Sequence, residues 1–154
     1  MIQNPRSSIA ALALSAAALV GIATHEGFEP VAKPPVPGDV PTYGFGTTEG
    51  VKNGDKIDPV TALNRALTDI RKYEGAVKKC VKVPLHQYEY DAYISLSYNI
   101  GTGAFCGSTL VKKLNAGDYA GACQQILVWD KFKGAPLKGL TIRRQKEYRQ
   151  CLGL

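Results

Sequence analysis

At 154 residues the chain has the size of one ordinary domain and can bury a true core. With 45% hydrophobic and 21% charged residues, it is excluded from the disordered class. Nineteen Lys and Arg against thirteen Asp and Glu give +6, but the basic residues form no run, no aromatic interleave and no zinc-finger spacing. No nucleic-acid partner is expected, and an anionic surface such as a cell wall suits the charge better.

The chain begins with an apolar stretch. Residues 7 to 24, SSIAALALSAAALVGIAT, carry no charge, with Arg6 before them and His25-Glu26 after them. At about 1.5 Å per residue, a helix of this length just reaches across the roughly 30 Å of bilayer hydrocarbon. Seven of the fifteen residues from Ile9 to Ala23 are Ala, so its preference for lipid is weak. Three readings stay open at this point: a signal peptide cleaved after Gly21-Ile22-Ala23, a buried Ala-rich helix, and an uncleaved anchor that inserts and later leaves. The charge ahead of the stretch would hold the amino terminus inside and send the rest outward. We expect residues 1–24 to be an N-terminal segment and 25–154 to be one folded domain.

Residues 26 to 57 are rich in Gly and Pro. Pro34, Pro35, Pro37 and Pro41 exclude a helix, and Thr42-Tyr43-Gly44-Phe45 suits a short strand or hairpin arm. Asp58-Pro59 then sets an N-cap with Pro at the first helical position, and Leu63, Leu67, Ile70, Tyr73 and Val77 recur at helical spacing as far as Cys80. Further helices are predicted over about 86–99, 108–115 from Ser108, 118–129 from Asp118, and 141–151 from Thr141, with Gly101 and Gly117 as stops. The pattern is α+β, a loop-and-hairpin lobe followed by a helical lobe, with substrate expected in a cleft between them.

Cys80, Cys106, Cys123 and Cys151 are even in number, with no C-x-x-C pair. Two disulfides and an oxidising compartment such as the periplasm follow, with three connectivities open. We prefer Cys80–Cys106 and Cys123–Cys151, because each pair flanks one or two short helices. His25 and His86 are too few and too isolated to hold a metal, and no organic cofactor is indicated. Tyr90, Tyr93 and Tyr98 read as core or rim, and Trp129 as the anchor of the C-terminal core.

Glu26 stands where the apolar stretch meets the Gly/Pro-rich region. A carboxyl group there can be partly desolvated and donate a proton near neutral pH, as glycoside cleavage requires. An isolated Glu at a helix end is more simply a solvated terminus. Four segments in order change that balance: HEGFEP, DVPTYGFGTTEG, SLSYNIGTGAFCGSTLVKKLNAGDYAGAC and LKGLTIRRQKEYRQC. From about residue 25 to the C-terminus they resemble the successive motifs of phage lysozymes of glycoside hydrolase family 24. The resemblance implies a lysozyme-like fold with a Gly/Pro-rich hairpin lobe, a helical lobe and an N-terminal apolar helix. The Ala-rich start is similar to the signal-arrest-release anchors of endolysins in that family, which ranks the uncleaved anchor above the signal peptide.

The resemblance also implies a catalytic Glu, an Asp or Cys nine residues on, and a Thr six further. Glu26 matches the Glu and Thr42 the Thr, but Thr42 follows after sixteen residues and position 35 is Pro35. Asp39 is the one carboxylate between Glu29 and Thr42; we read it equally as the third member or as a turn residue. Thr47 stands where many relatives carry His. Arg143 or Arg144 matches an arginine that pairs with the catalytic Glu in the cleft, while for at least one of the two a solvated helix face is the simpler reading.

The implied function is a muramidase. Glu26 would protonate the β-1,4 bond between N-acetylmuramic acid and N-acetylglucosamine, and Thr42 with Asp39 would position the water for inverting hydrolysis. The partner would be peptidoglycan, the protein a monomer, inactive while tethered at the host inner membrane and then active in the periplasm for lysis. Two alternatives are a lytic transglycosylase, for which one Glu suffices, and a non-catalytic wall-binding protein on a lysozyme scaffold.

Overall fold

The computed structural model describes residues 5–154; the first four residues of the expected anchor segment lie outside the described residues. The chain divides into two compact units, one formed by Met1–Ala18 with Tyr73–Leu154 and the other by Leu19–Lys72.

The apolar start is not the single helix expected. It forms a 3-10 turn over Ile9–Ala11, runs extended at Leu12, and becomes helical again as α1, Ala16–Glu26. Ser15 caps that second helix, its Oγ accepting from the Ala18 N–H at 3.1 Å. Among the described residues, no helix is long and apolar enough to cross a membrane.

In the Leu19–Lys72 unit, β1 (Glu29–Lys33) pairs antiparallel with β2 (Thr42–Gly44). Glu29 faces Gly44 and Lys33 faces Thr42, so β1 uses more residues than β2 over the same span. The irregularity bends β1 and brings Glu29 and Lys33 to a 2.6 Å ion pair, although four residues of flat strand would separate their backbones by roughly 13 Å. Pro30 lies inside β1 and Pro34 directly follows it, so the segment carries no strand signal in the sequence. Gly44 has φ 61° and a Cβ there would meet Ala62 Cβ at 2.9 Å, so only glycine lets β2 lie this close to the next helix.

That helix is α2, Pro59–Cys80. Asp58 starts it as expected, its Oδ1 accepting from the N–H groups of Val60 and Thr61 at 3.0 Å each. The buried stripe, however, is Ala62, Ala66, Ile70 and Val77, while Leu63 is exposed. Ile70 and Val77 are buried as expected, while Ala62 and Ala66 take the places of Leu63 and Leu67, because small side chains allow close packing where Gly44 meets Ala62.

The other unit is organised by α3, Gln87–Ile100, whose residues from Glu89 to Ser97 are all buried. A helix enclosed on every side is the centre of its unit, and α7, Lys138–Cys151, packs most extensively on it. Between them run α4 (Thr102–Cys106), α5 (Thr109–Asn115) and α6 (Tyr119–Gln124). Ser108 and Asp118 cap α5 and α6 as expected, accepting from the Val111 N–H at 3.3 Å and the Gly121 N–H at 2.8 Å. Two expectations fail here. The helix from Asp118 gives way to a 3-10 turn at Gln125–Val128, and Thr141 does not cap the last helix. A short hairpin, β3 (Lys131–Phe132) with β4 (Ala135–Pro136), precedes α7, and the Thr141 hydroxyl instead donates to Asp130 at 3.1 Å.

Disulfides join Cys80 to Cys106 and Cys123 to Cys151, the preferred pairs. Tyr93 lies against the second bridge, its hydroxyl 3.4 Å from Cys151 Sγ, and its ring packs at 6.0 Å on Phe105.

Candidate active site

Glu26 is the last residue of α1 and is half-buried. Gly27, at φ 70°, turns the chain out of the helix and into β1. β1 then carries Glu29 and Lys33, and β2 begins with Thr42. These residues meet at one cavity of about 290 Å³, lined by Glu26, Glu29, Lys33, Pro35, Thr42, Gly44 and Gly46. The structure thus brings together Glu26 and Thr42, singled out from sequence, and adds two residues that sequence reading missed.

The wall of this cavity is polar where chemistry needs it. The Thr42 hydroxyl is half-buried and donates to the Val40 carbonyl at 3.3 Å, a long bond that a water or sugar oxygen can replace. Lys33 hydrogen-bonds Glu29 and holds its carboxyl below the usual range, so this group is anionic at neutral pH. Glu29 and Lys33 went unnoticed because an ion pair between residues four apart is a helix signal, and this segment is a bent strand.

Asp39 is not brought to the wall. It is exposed in the Pro34–Val40 turn region, and its N–H donates to the Val36 carbonyl at 3.1 Å. Pro35, nine residues after Glu26, lines the cavity, so the position implied for a middle carboxylate is occupied by a side chain without a charge.

Thr47 is 1% exposed and gives its hydroxyl hydrogen to Asp69 Oδ2 at 2.7 Å. Arg143 and Arg144 correct the solvated-face reading, since they are 6% and 0% exposed. Both share Glu147: Arg143 Nε lies 3.2 Å from Oε1, and Arg144 Nη2 and Nε lie 3.0 and 2.7 Å from Oε1 and Oε2. The Ser95 hydroxyl adds a 2.7 Å bond to the same carboxylate. Arg143 reaches the Ser95 carbonyl and Arg144 the Asn99 side chain. A buried acid serving two arginines carried no sequence signal beyond its helical spacing.

Trp129 is half-buried rather than the core anchor expected. It lines a second cavity of about 600 Å³ in the helical unit, with Asn99, Val128, Phe132 and Leu137. Among the described residues, no group of three or more His, Cys, Asp or Glu is arranged to hold a metal ion.

An α+β chain with a glutamate ending a helix, and a threonine opening the second strand of the adjoining hairpin on one small cavity wall, has the build of a lysozyme-like glycosidase. The family model described as phage lysozyme matches residues 23–147. The SAR-endolysin of Pseudomonas phage phiKMV is 38% identical over 141 residues, covering 89% of this chain and 87% of that protein. The endolysin of Acyrthosiphon pisum secondary endosymbiont phage 1 is 44% identical over 110 residues, covering 69% and 75%. Among solved structures, the endolysin from Escherichia coli O157:H7 phage FAHEc1 superposes with a TM-score of 0.81 at 36% identity, covering 92% of this chain and 94% of that one. The chain belongs to the phage lysozyme family. It is a lysozyme of the endolysin kind, a peptidoglycan hydrolase for host-cell lysis.

Proposed function

We propose that the chain cleaves the β-1,4 bond between N-acetylmuramic acid and N-acetylglucosamine, with Glu26 as general acid and Thr42 holding the attacking water. The observation that carries this reading is the single cavity shared by Glu26 and Thr42. Glu26 gives its proton to the glycosidic oxygen as the bond to the anomeric carbon breaks. A water held by the Thr42 hydroxyl attacks that carbon from the opposite face, so the configuration inverts. The water's proton needs a carboxylate, and Glu29, kept ionised by Lys33 on the same wall, suits that task better than the exposed Asp39.

Residues 1–24 are assigned as a releasable membrane anchor, and 25–154 as the catalytic domain. Its support is the uncharged run of residues 7 to 24 and the likeness to a relative named SAR-endolysin. The enzyme is inactive while tethered to the host inner membrane, then acts as a monomer in the periplasm. Replacing Ala16, Ala17 and Ala18 by Leu adds several kcal/mol of lipid preference at about 0.8 per CH₂, so that variant is expected to stay membrane-bound and non-lytic after the membrane potential collapses. Lysis as fast as wild type would refute the anchor.

The deciding experiment on the chemistry is clearing of permeabilised Gram-negative cells by purified protein, with analysis of the fragments. Wild type is expected to clear and to leave ordinary reducing ends, and folded Glu26→Gln to do neither. Fragments with 1,6-anhydro ends would make the enzyme a transglycosylase. Absence of clearing by wild type would leave only a wall-binding scaffold.

A further inference from the structure

We propose that the hairpin before α7, with its flanks, is a docking surface for an anionic phospholipid bilayer, separate from the apolar start of the chain.

The hairpin is short and bare. Its strands have two residues each, and every residue from 131 to 139 is exposed. Yet it carries Phe132 and leads into Leu137, each about half exposed, and Val128 is as open just ahead of it. These side chains are neighbours in space, since together with Trp129 they wall the 600 Å³ cavity of the helical unit. A continuous apolar surface left in water marks an interaction site.

The charge around that surface has one sign. From 131 to 146 the sequence holds four Lys and two Arg, with neither Asp nor Glu. Arg143 and Arg144 are inside and taken by Glu147. Lys131, Lys133 and Lys138 are exposed, and none of the three forms an ion pair among the described residues. Lys133 Nζ stands 5.5 Å from the centre of the Phe132 ring, which sets charge and ring side by side. The turn itself is built around this cation. Lys133 and Gly134 have φ 51° and 83°, a two-residue turn that favours Asn or Asp before the Gly. Lys133 is the one non-glycine residue with positive φ among the described residues, so a lysine is held where an uncharged Asn would fit with less strain.

The partner follows from what this surface can read. Of the eight residues that line the cavity, only Asn99 and Lys131 have an amide or a charge, and Asn99 Oδ1 already accepts from Arg144 at 2.9 Å. Sugars and peptides are oriented by fixed donors and acceptors, and this wall offers few. Lysines on flexible stems respond to charge and not to shape. On a bilayer they can set their ammonium groups among lipid phosphates while their stems, the Phe132 ring and Leu137 enter the acyl boundary. A half-buried indole suits the same depth. The partner that fits is a fluid, negatively charged surface with an apolar layer beneath it.

Trp129 is the one Trp of the chain, so its fluorescence reports from within the patch. The purified full chain is mixed with vesicles of phosphatidylglycerol and phosphatidylcholine in equal parts, with phosphatidylcholine vesicles, and with purified sacculi. With the anionic vesicles the emission should shift to the blue and be quenched by brominated acyl chains; neutral vesicles should do neither. Each lysine near such a surface contributes about fivefold in affinity (about 1 kcal/mol), so Lys131→Gln, Lys133→Asn and Lys138→Gln combined should weaken binding by about 10²-fold. Phe132→Ser should weaken it by about tenfold. Lys52, Lys79 and Lys112 are exposed elsewhere, and their combined change to Gln removes the same charge but should lose far less. Equal losses in that control would leave only a general attraction to net charge and overturn the proposal. Unchanged binding in the hairpin variant would overturn it too, by giving the vesicle contact to the apolar start. A Trp129 response to sacculi without one to vesicles would make the patch a wall site instead. Should the triple hairpin variant fail to fold, Phe132→Ser decides alone.

Discussion

The Thr47 hydroxyl donates to the Asp69 carboxylate at 2.7 Å from a position that is 1% exposed. The residue after the G-F-G turn is thus tied by a charge-assisted bond to α2. Such bonds contribute about 1.5–3 kcal/mol. Thr47→Val keeps the shape and removes the donor, and is expected to lose about 2 kcal/mol in urea unfolding. Thr47→Ser should recover most of it. An unchanged midpoint in Thr47→Val would show that the bond contributes nothing.

Glu147 pairs with two buried guanidinium groups, those of Arg143 and Arg144. Removing one partner of a buried ion pair leaves an uncompensated charge and costs about 3–5 kcal/mol. Glu147→Gln, nearly isosteric, should therefore melt far below wild type. A shift within the range of a surface substitution would mean that Arg143 and Arg144 are satisfied without it.

Thr42 and Glu29 line the cavity and Asp39 does not, which ranks the three for catalysis. Thr42→Ala and Glu29→Gln should each lower turnover by about 10²-fold or more, the usual size of a general acid-base contribution, and Asp39→Asn by less than about tenfold. Steady-state rates on soluble fragments decide. A loss for Asp39→Asn as large as that for Thr42→Ala would return Asp39 to water activation and make Glu29 a structural partner of Lys33.

Tyr90 and Tyr93 should not ionise with the other tyrosines. Burial raises both hydroxyls well above the ordinary range, and for Tyr90 the 2.6 Å bond to Glu74 adds to it. A raised folded-state pKa gives stability that is fully present below the unfolded value near 10 and is lost as pH rises past it. Phenolate absorbance should rise for the exposed tyrosines first, and for these two only with alkaline unfolding. Complete, reversible titration of all eight tyrosines in a folded protein would contradict this.

What could be seen in the sequence was what neighbours in the chain decide. Asp58, Ser108 and Asp118 cap helices through bonds to residues two or three positions on, and spacing alone reveals such bonds. Glu26 and Thr42 were legible for another reason, since each lies in a segment with a family likeness. The break at Leu12–Ser15 was not legible, because its causes lie sixty or more residues away at Glu74 and Asp91. β1 escaped for want of alternation, with Pro30 and Pro34 at a bend. Burial of Arg143 and Arg144 was hidden because a helix rich in charge looks solvated unless its counter-ion, Glu147, is known to be internal.

Both cross-links close within residues 80 to 151, and the stretch from Leu19 to Lys72 that holds the cavity has none. The cross-links harden one part of the molecule and leave the part with the candidate site to hairpin pairing, a few small buried side chains and Thr47. Local opening draws on the least stable region first. On gentle warming, this enzyme should therefore fall silent before it unfolds, its candidate site loosening while the cross-linked helices stay ordered, and should regain its activity on cooling.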